Sequence, residues 1–328
     1  MTGQAILVTG GAGFIGSHTC KLLASDGFNP ITYDNLSTGN LSAVKYGPFV
    51  RGELSDTGKL VDTIRTYRPV AVIHFAARAY VGESVDHPAL YYETNVGGTL
   101  SLLAACRTMQ LDKIVFSSSC ATYGIPEKLP ITEKTPQAPI NPYGATKLIV
   151  ERILQDYRAA YGFQSVILRY FNACGADPDG ELSEKHSPET HIIPLALMAA
   201  SGRADTLSIF GTDYETRDGT CVRDYIHVAD LARAHVLAVR HLLQNKGSMI
   251  VNLGSGVGIS ILEILDTVRK QTGHDVPVKF APRRPGDPPV LYADPAYAEK
   301  ALGFRTEMSD IGSIIKTAAP TFGLEVRS

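Results

Sequence analysis

The sequence predicts an α/β fold: a doubly wound parallel sheet followed by a smaller C-terminal α/β lobe. Three observations carry this. Short apolar runs alternate with amphipathic stretches through the first half, a glycine-rich turn separates the first run from the first amphipathic stretch, and the alternation becomes irregular after about Asn172. Strands that alternate with helices imply βαβ units, and hence parallel strands with helices on both faces. The runs at 5–8, 30–33, 70–75, 113–117 and 165–170 read as buried strands. Residues 16–25, 57–67, 95–109 and 143–161 read as the helices between them. Residues 173–190, polar and rich in Gly, Pro and Glu, read as a long loop, and loops of that length are usually functional or mobile. Helices are expected at 193–201, 228–243 and 261–272, strands at 207–210 and 251–253, and a proline-rich loop at 282–289. The expected division is a first domain at 1–172 and a lobe at 173–328, with parts of 225–258 packing back on the first domain.

Composition narrows the class. The chain has 328 residues, 44% apolar and 20% charged, with a formal charge of -2. No basic tract offers a nucleic-acid surface. No apolar run approaches the ~18 residues of a membrane span. A strand-like run at residue 5 leaves no room for a signal peptide. Cys20, Cys106, Cys120, Cys174 and Cys221 are scattered, odd in number and free of any CxxC pair. They suit a reducing cytosol and offer no metal knuckle. The expectation is a soluble cytoplasmic enzyme with no metal.

The turn Gly10-Gly11-Ala12-Gly13-Phe14-Ile15-Gly16 follows a strand run and opens a helix run. That context makes it a dinucleotide signature. The glycines permit a tight turn and close approach of a pyrophosphate to backbone N–H groups at a helix N-terminus. A second strand run ends at Asp34, placed to accept ribose hydroxyls and to repel a 2′-phosphate. No arginine occurs in 35–39, so NAD is expected over NADP.

Tyr143 and Lys147 stand four apart, on one face of a helix. A phenol titrates near ~10, so serving as a base near neutrality costs about 4 kcal/mol. A neighbouring ammonium lowers that cost. Ser117-Ser118-Ser119 ends a strand run, at the sheet edge where parallel α/β folds bind ligands. A serine there can relay a proton to Tyr143.

With the glycine turn, the Ser119, Tyr143, Lys147 triad and Arg169-Tyr170-Phe171-Asn172, the sequence resembles the extended short-chain dehydrogenase/reductases, Rossmann-like enzymes. Further stretches are similar to their UDP-hexose 4-epimerase branch. These are His74-Phe75-Ala76-Ala77, Val81-Gly82-Glu83-Ser84-Val85, Asn95-Val96-Gly97-Gly98-Thr99, the run from Asp218 to Val228, and Pro282-Arg283-Arg284-Pro285-Gly286-Asp287. The resemblance implies an NAD-dependent isomerase that interconverts UDP-glucose and UDP-galactose through a 4-keto sugar. Gly10, Gly13, Phe14, Ile15 and Gly16 would line the pyrophosphate site. Asp34 and Asn35 would hold the adenosine, Glu53 and Leu54 would sit by the adenine, and Phe75, Ala76 and Ala77 beside the cofactor. Phe171 would pack near the nicotinamide, with Ala79 and Thr94 also on the cofactor side. Ser119, Tyr143 and Lys147 would touch cofactor and sugar. Asn172, Arg223 and Arg284 would bind the diphosphate and Asp287 the uridine ribose, with His191, Ile192, Ser208, Phe210 and Leu291 as further substrate contacts. Guanidinium forks match phosphate oxygens, so two arginines for one diphosphate make physical sense.

Several positions depart from the resembled pattern. Glu53 stands for a frequent Asp, Ala79 for a lysine, Thr94 for an asparagine and His191 for an asparagine. Leu291 stands where a size-gating side chain is found, which leaves N-acetylated sugars open. UDP-xylose/UDP-arabinose interconversion uses the same atoms and stays open too. A dehydratase or decarboxylase is disfavoured, because no carboxylate follows Ser119. A non-catalytic NAD-sensing protein on the same fold would have an eroded triad, and this one is intact. The resemblance also implies a homodimer built from helices near 95–109 and 147–161.

Overall fold

The computed structural model describes residues 3–284 and 287–327. Its centre is a seven-stranded, all-parallel sheet. In chain order the strands are β1 (Ala5–Thr9), β2 (Asn29–Asp34), β3 (Phe49–Arg51), β4 (Ala71–His74), β5 (Lys113–Ser119), β6 (Gln164–Tyr170) and, after three short strands, β10 (Met249–Leu253). They lie in the order β10-β6-β5-β4-β1-β2-β3. The period-2 alternation of the strands assigns each residue to one layer. Ile6 and Val8 point to the face covered by α1 (Phe14–Ser25) and α8 (Val228–Leu243). There they meet Cys20, Leu23, Leu231, Ala234 and Val239. Leu7 points the other way, towards α2 (Thr57–Tyr67), α5 (Gly98–Thr108) and α6 (Pro142–Tyr161), meeting Leu60, Ile64, Leu102, Val150 and Leu154. Each fully buried aliphatic side chain here contributes about 1.5–3 kcal/mol.

The predicted doubly wound sheet is thus present, and α8 with β10 returns to it from the second half of the chain. Some elements escape the sequence pattern. β3 has three residues and α3 (Val81–Asp86) and α4 (Pro88–Tyr91) have six and four, too short for a period to show. The helix expected from residue 95 begins at Gly98, because Tyr92–Gly97 form a wide π-helical turn. Asn95 in that turn is buried and spends its amide on the Arg78 backbone and on Thr146.

The remaining chain folds around β9 (Val222–His227), which pairs with β7 (Asn172–Cys174), β11 (Gly258–Ser260) and β13 (Val290–Leu291). A separate pair joins β8 (Leu207–Phe210) to β12 (Val278–Ala281). Helices α7 (Ile192–Ala200), α9 (Ile261–Thr272), α10 (Ala296–Leu302) and α11 (Ile311–Ala318) complete it. The expected loop at 173–190 begins inside β7 and is otherwise irregular. Buried Asp224 ties this region together: its carboxylate accepts from Ser255, Gly256 and Ala293 backbone N–H groups. Among the described residues no helix is long and apolar enough to cross a membrane.

Candidate active site at the carboxyl edge of the sheet

Thr9, Asp34, His74, Ser119 and Tyr170 end β1, β2, β4, β5 and β6, so the parallel sheet delivers them to one edge. The glycine turn sits there. Gly10 has φ +74, and a Cβ on it would lie 2.6 Å from the Ala76 nitrogen; one on Gly16 would lie 2.2 Å from the Gly10 carbonyl oxygen. Only glycine fits this crossing. No side chain caps α1 at Gly13, so its first-turn N–H groups are left for an anion. The Asp34 carboxylate accepts from the Ala12 and Leu36 N–H groups at 3.0 and 2.8 Å, and burial raises its pKa. Asn35 donates to Glu53 at 2.9 Å, and the next residue, Leu54, is buried. The uncapped helix end, the Cβ-free cradle and the acid beyond it fit a dinucleotide. Phe75 and Ala76 both bond back to the Thr9 carbonyl, with Phe14, Ile15 and Ala77 half-buried around them. Thr94 is half-buried in the π turn, whereas Ala79 is exposed.

Helix α6 brings in the other half. Asn141 caps it by accepting from Gly144 N–H, and Pro142 occupies its first turn. A Cβ at Gly144 would lie 2.5 Å from the Ala121 carbonyl oxygen, so α6 starts hard against the turn that follows Ser119. Tyr143, Lys147 and Glu151, each four residues apart, then face the sheet. All three are buried. Lys147 donates to the Ser117 carbonyl at 2.7 Å and lies 5.8 Å from the Tyr143 ring centroid. Glu151 forms a buried pair with Arg169 at 2.6 Å and accepts from Ser118. Arg169 also donates to Tyr123, which donates to Asn252. This network bolts α6 to β5, β6 and β10 beneath the triad, and no sequence motif announces it.

One expectation is corrected. The four-residue spacing predicts that the Lys147 ammonium lowers the Tyr143 pKa. Burial dominates instead and raises the phenol well above its ordinary value, while Ser119 pulls the other way. Burial also carries Lys147 down to about 7, against the pull of Glu151. The protein alone therefore holds Tyr143 as a phenol. Behind it, His235 donates from Nδ1 to the Leu231 carbonyl, so Nε2 accepts the Ser117 hydroxyl.

Of the residues expected on the substrate side, Asn172, Arg223 and Leu291 lie on β9 or on strands paired with it, whereas Ser208 and Phe210 lie on the separate β8. Asn172 donates to the Asp224 carbonyl. Arg223 is ion-paired with Asp287. Burial raises the Cys120 thiol to about 12, with the charge of Arg223 pulling the other way. Arg284 is exposed and stacks 4.1 Å from the Phe210 ring centroid. Ser208 is exposed on β8. Leu291 packs against the cluster of Tyr123, Ile131, Phe171 and Ala293. Pro285 and Gly286 of the proline-rich motif lie outside the described residues. Ile192 opens α7, and His191 precedes it.

His191 also belongs to a group that the sequence pattern did not single out. Glu184, His186, Glu189 and His191 converge, with their ligating atoms all within 4.8 Å of one another. Burial pulls both imidazoles down, but the two carboxylates outweigh it, carrying His186 to about 9 and His191 to about 10. The signal is present as E-x-H-x-x-E-x-H inside a segment whose composition reads only as polar loop.

A cofactor cradle and a buried Ser-Tyr-Lys set on one sheet edge define a nicotinamide-dependent enzyme. Residues 6–254 match the model of the NAD dependent epimerase/dehydratase family, and the chain belongs to that family. It is 50% identical to the UDP-glucose 4-epimerase of Rhizobium meliloti (strain 1021) over 318 residues, 97% of each chain. The crystal structure of UDP-glucose 4-epimerase from Brucella ovis in complex with NAD superposes with a TM-score of 0.97 at 63% identity, covering 99% of this chain and 100% of that one. The UDP-Glc/GlcNAc 4-epimerase of Campylobacter jejuni superposes with a TM-score of 0.84 at 38% identity, covering 98% and 99%.

Proposed function

We propose that this chain is a UDP-sugar 4-epimerase that interconverts UDP-glucose and UDP-galactose and keeps its NAD between turnovers. The observation that carries the reading is the close approach of α6 to the Ser119 turn, which holds Tyr143 and Lys147 at the edge where the dinucleotide cradle lies. NAD, when bound, supplies a hydride acceptor whose ring charge favours a tyrosinate beside it. Gly10, Gly13, Phe14, Ile15, Gly16 and Asp34 would hold it. Tyr143 takes the proton of the sugar 4-hydroxyl, with Ser119 as the relay. Lys147 steadies that side from its bond to Ser117. Loss of hydride from C4 leaves a 4-keto sugar. It turns over while Asn172, Arg223, Arg284 and Asp287 keep the UDP portion anchored. Return of hydride to the opposite face, with the proton handed back from Tyr143, gives the epimer.

The turn Cys120–Thr122 after Ser119 carries no carboxylate to drive elimination, which supports epimerisation over dehydration. Relatives named for UDP-glucose support the hexose reading over the pentose one. The reading extends to a homodimer. Leu100 on α5 and Ile149 and Tyr161 on α6 are exposed, and Arg107 stacks on Tyr161 across the two helices. Purified protein with UDP-galactose and no added cofactor should show anomeric NMR signals of UDP-glucose growing in. Tyr143→Phe should lower kcat by about 10²–10⁴-fold with bound NAD unchanged. A Tyr143→Phe enzyme that keeps most of its turnover refutes the mechanism.

A further inference from the structure

We propose that Glu184, His186, Glu189 and His191 form a structural site for one divalent metal ion of the zinc type. The four residues lie on the irregular segment between β7 and α7. Glu184 Oε1 lies 3.0 Å from His186 Nδ1 and 2.8 Å from His191 Nδ1. Glu189 Oε1 lies 3.1 Å from His191 Nδ1, and its Oε2 3.7 Å from His186 Nδ1. A tetrahedral zinc with ligands at about 2.0–2.1 Å has edges of roughly 3.3–3.4 Å between them. The observed edges scatter about that value.

The directions of the donors matter more than the distances. Glu184 Oε1 and His186 Nδ1 are buried, and among the described residues neither makes a hydrogen bond, despite standing 3.0 Å apart. The Glu184 side chain is 5% exposed. Two complementary polar atoms that close would bond if they pointed at each other. They do not bond, the ligating atoms of all four residues lie within 4.8 Å of one another, and an unpartnered buried carboxylate oxygen is costly. Glu189 is held in place by the backbone, because its Oε1 also accepts from the Thr190 and His191 N–H groups at 2.7 and 2.8 Å. Backbone bonds that fix a carboxylate are the usual outer support of a metal ligand. The spacing H-x4-H falls within the range of zinc sites, and mixed imidazole and carboxylate donors suit zinc better than magnesium or calcium. A bound metal ion displaces the two imidazole protons, and two carboxylates with two neutral imidazoles then sum to -2, which one divalent cation neutralises.

The site has a place in the architecture. His186 packs edge-on against Phe14 of the glycine turn and Tyr80, with centroids 6.3 and 6.2 Å apart. His191 leads directly into α7. A metal ion here would pin an otherwise irregular segment beside the cofactor cradle.

The test is metal content. The full chain, stripped with a chelator, is reloaded with zinc and desalted, and metal is counted by mass spectrometry. About one equivalent is expected. Glu184→Gln and His186→Gln should each weaken zinc binding by about 100-fold or more against a chromophoric chelator, while Ser187→Ala does not. Cobalt in place of zinc should give the intense visible absorption of a tetrahedral site. Circular dichroism separates lost ligation from lost folding, and His191→Gln supplies a second variant if one misfolds. Zinc binding unchanged in these variants, no bound zinc, or magnesium binding in its place overturns the proposal and leaves a double ion pair only.

Discussion

The cofactor edge of the sheet and the region around β9 are built by different means. At the sheet edge, strand ends and helix starts are held by neutral contacts that tolerate no extra atom, such as Gly16 on the Gly10 carbonyl. The charged pair beneath the triad, Glu151 with Arg169, is fully buried and fully bonded. Around β9, short strands gather on the buried Asp224 carboxylate, and the remaining charges lie nearer water: Arg223 with Asp287 and Arg283 with Asp213. The first arrangement holds a fixed reaction geometry. The second leaves side chains that can exchange a protein partner for a diphosphate.

Removing one charge from each kind of pair tests this contrast. Glu151→Gln leaves the Arg169 guanidinium buried without a counter-charge and should cost about 3–5 kcal/mol, read from urea denaturation. Asp213→Asn, at a pair whose carboxylate is 73% exposed, should leave the denaturation midpoint nearly unchanged. Equal losses would refute the distinction between the two regions.

That contrast also explains what the sequence disclosed. The strands of the central sheet and α2, α8 and α9 were legible because their periodicity is local and their ends carry turn and cap signals. Thr57–Tyr67, Val228–Leu243 and Ile261–Thr272 fall where the pattern placed them. The cradle was legible because close approach demands glycine. β3, α3 and α4 were not, since a few residues show no period. Glu151 and Arg169 are 18 residues apart, and nothing in their spacing announces a pair that the α6–β6 crossing creates. Nor does spacing reveal burial, and burial reverses the expected Tyr143 shift.

Leu291 tests the adaptable region directly. It is half-buried on the two-residue strand β13, against the cluster containing Phe171. Shortening it should open room beside the sugar without touching the sheet edge. Leu291→Ser should raise the ratio of kcat/KM for UDP-N-acetylglucosamine over UDP-glucose by about 10-fold. An unchanged ratio removes Leu291 from the sugar-binding wall.

The smallest effect probes the rigid edge through pH. Burial holds His235 at about 4, below its ordinary value of 6.5, and its neutral ring receives the Ser117 hydroxyl. His74, bonded to Thr9 and Thr99, is held at about 3 by burial, with Lys147 adding to the shift. A depressed folded-state pKa means that below 6.5 the unfolded chain takes up a proton which the folded chain refuses. The stabilisation is complete above 6.5 and declines as pH falls towards 4. His235→Gln should remove its share, so that at a pH of about 5.5 the variant has lost about 1 kcal/mol less than the parent, each relative to its own stability at about pH 7.5. Denaturant titrations at the two pH values give the comparison. Parallel declines would mean that His235 is not held neutral, and with it the Ser117 bond that backs Lys147.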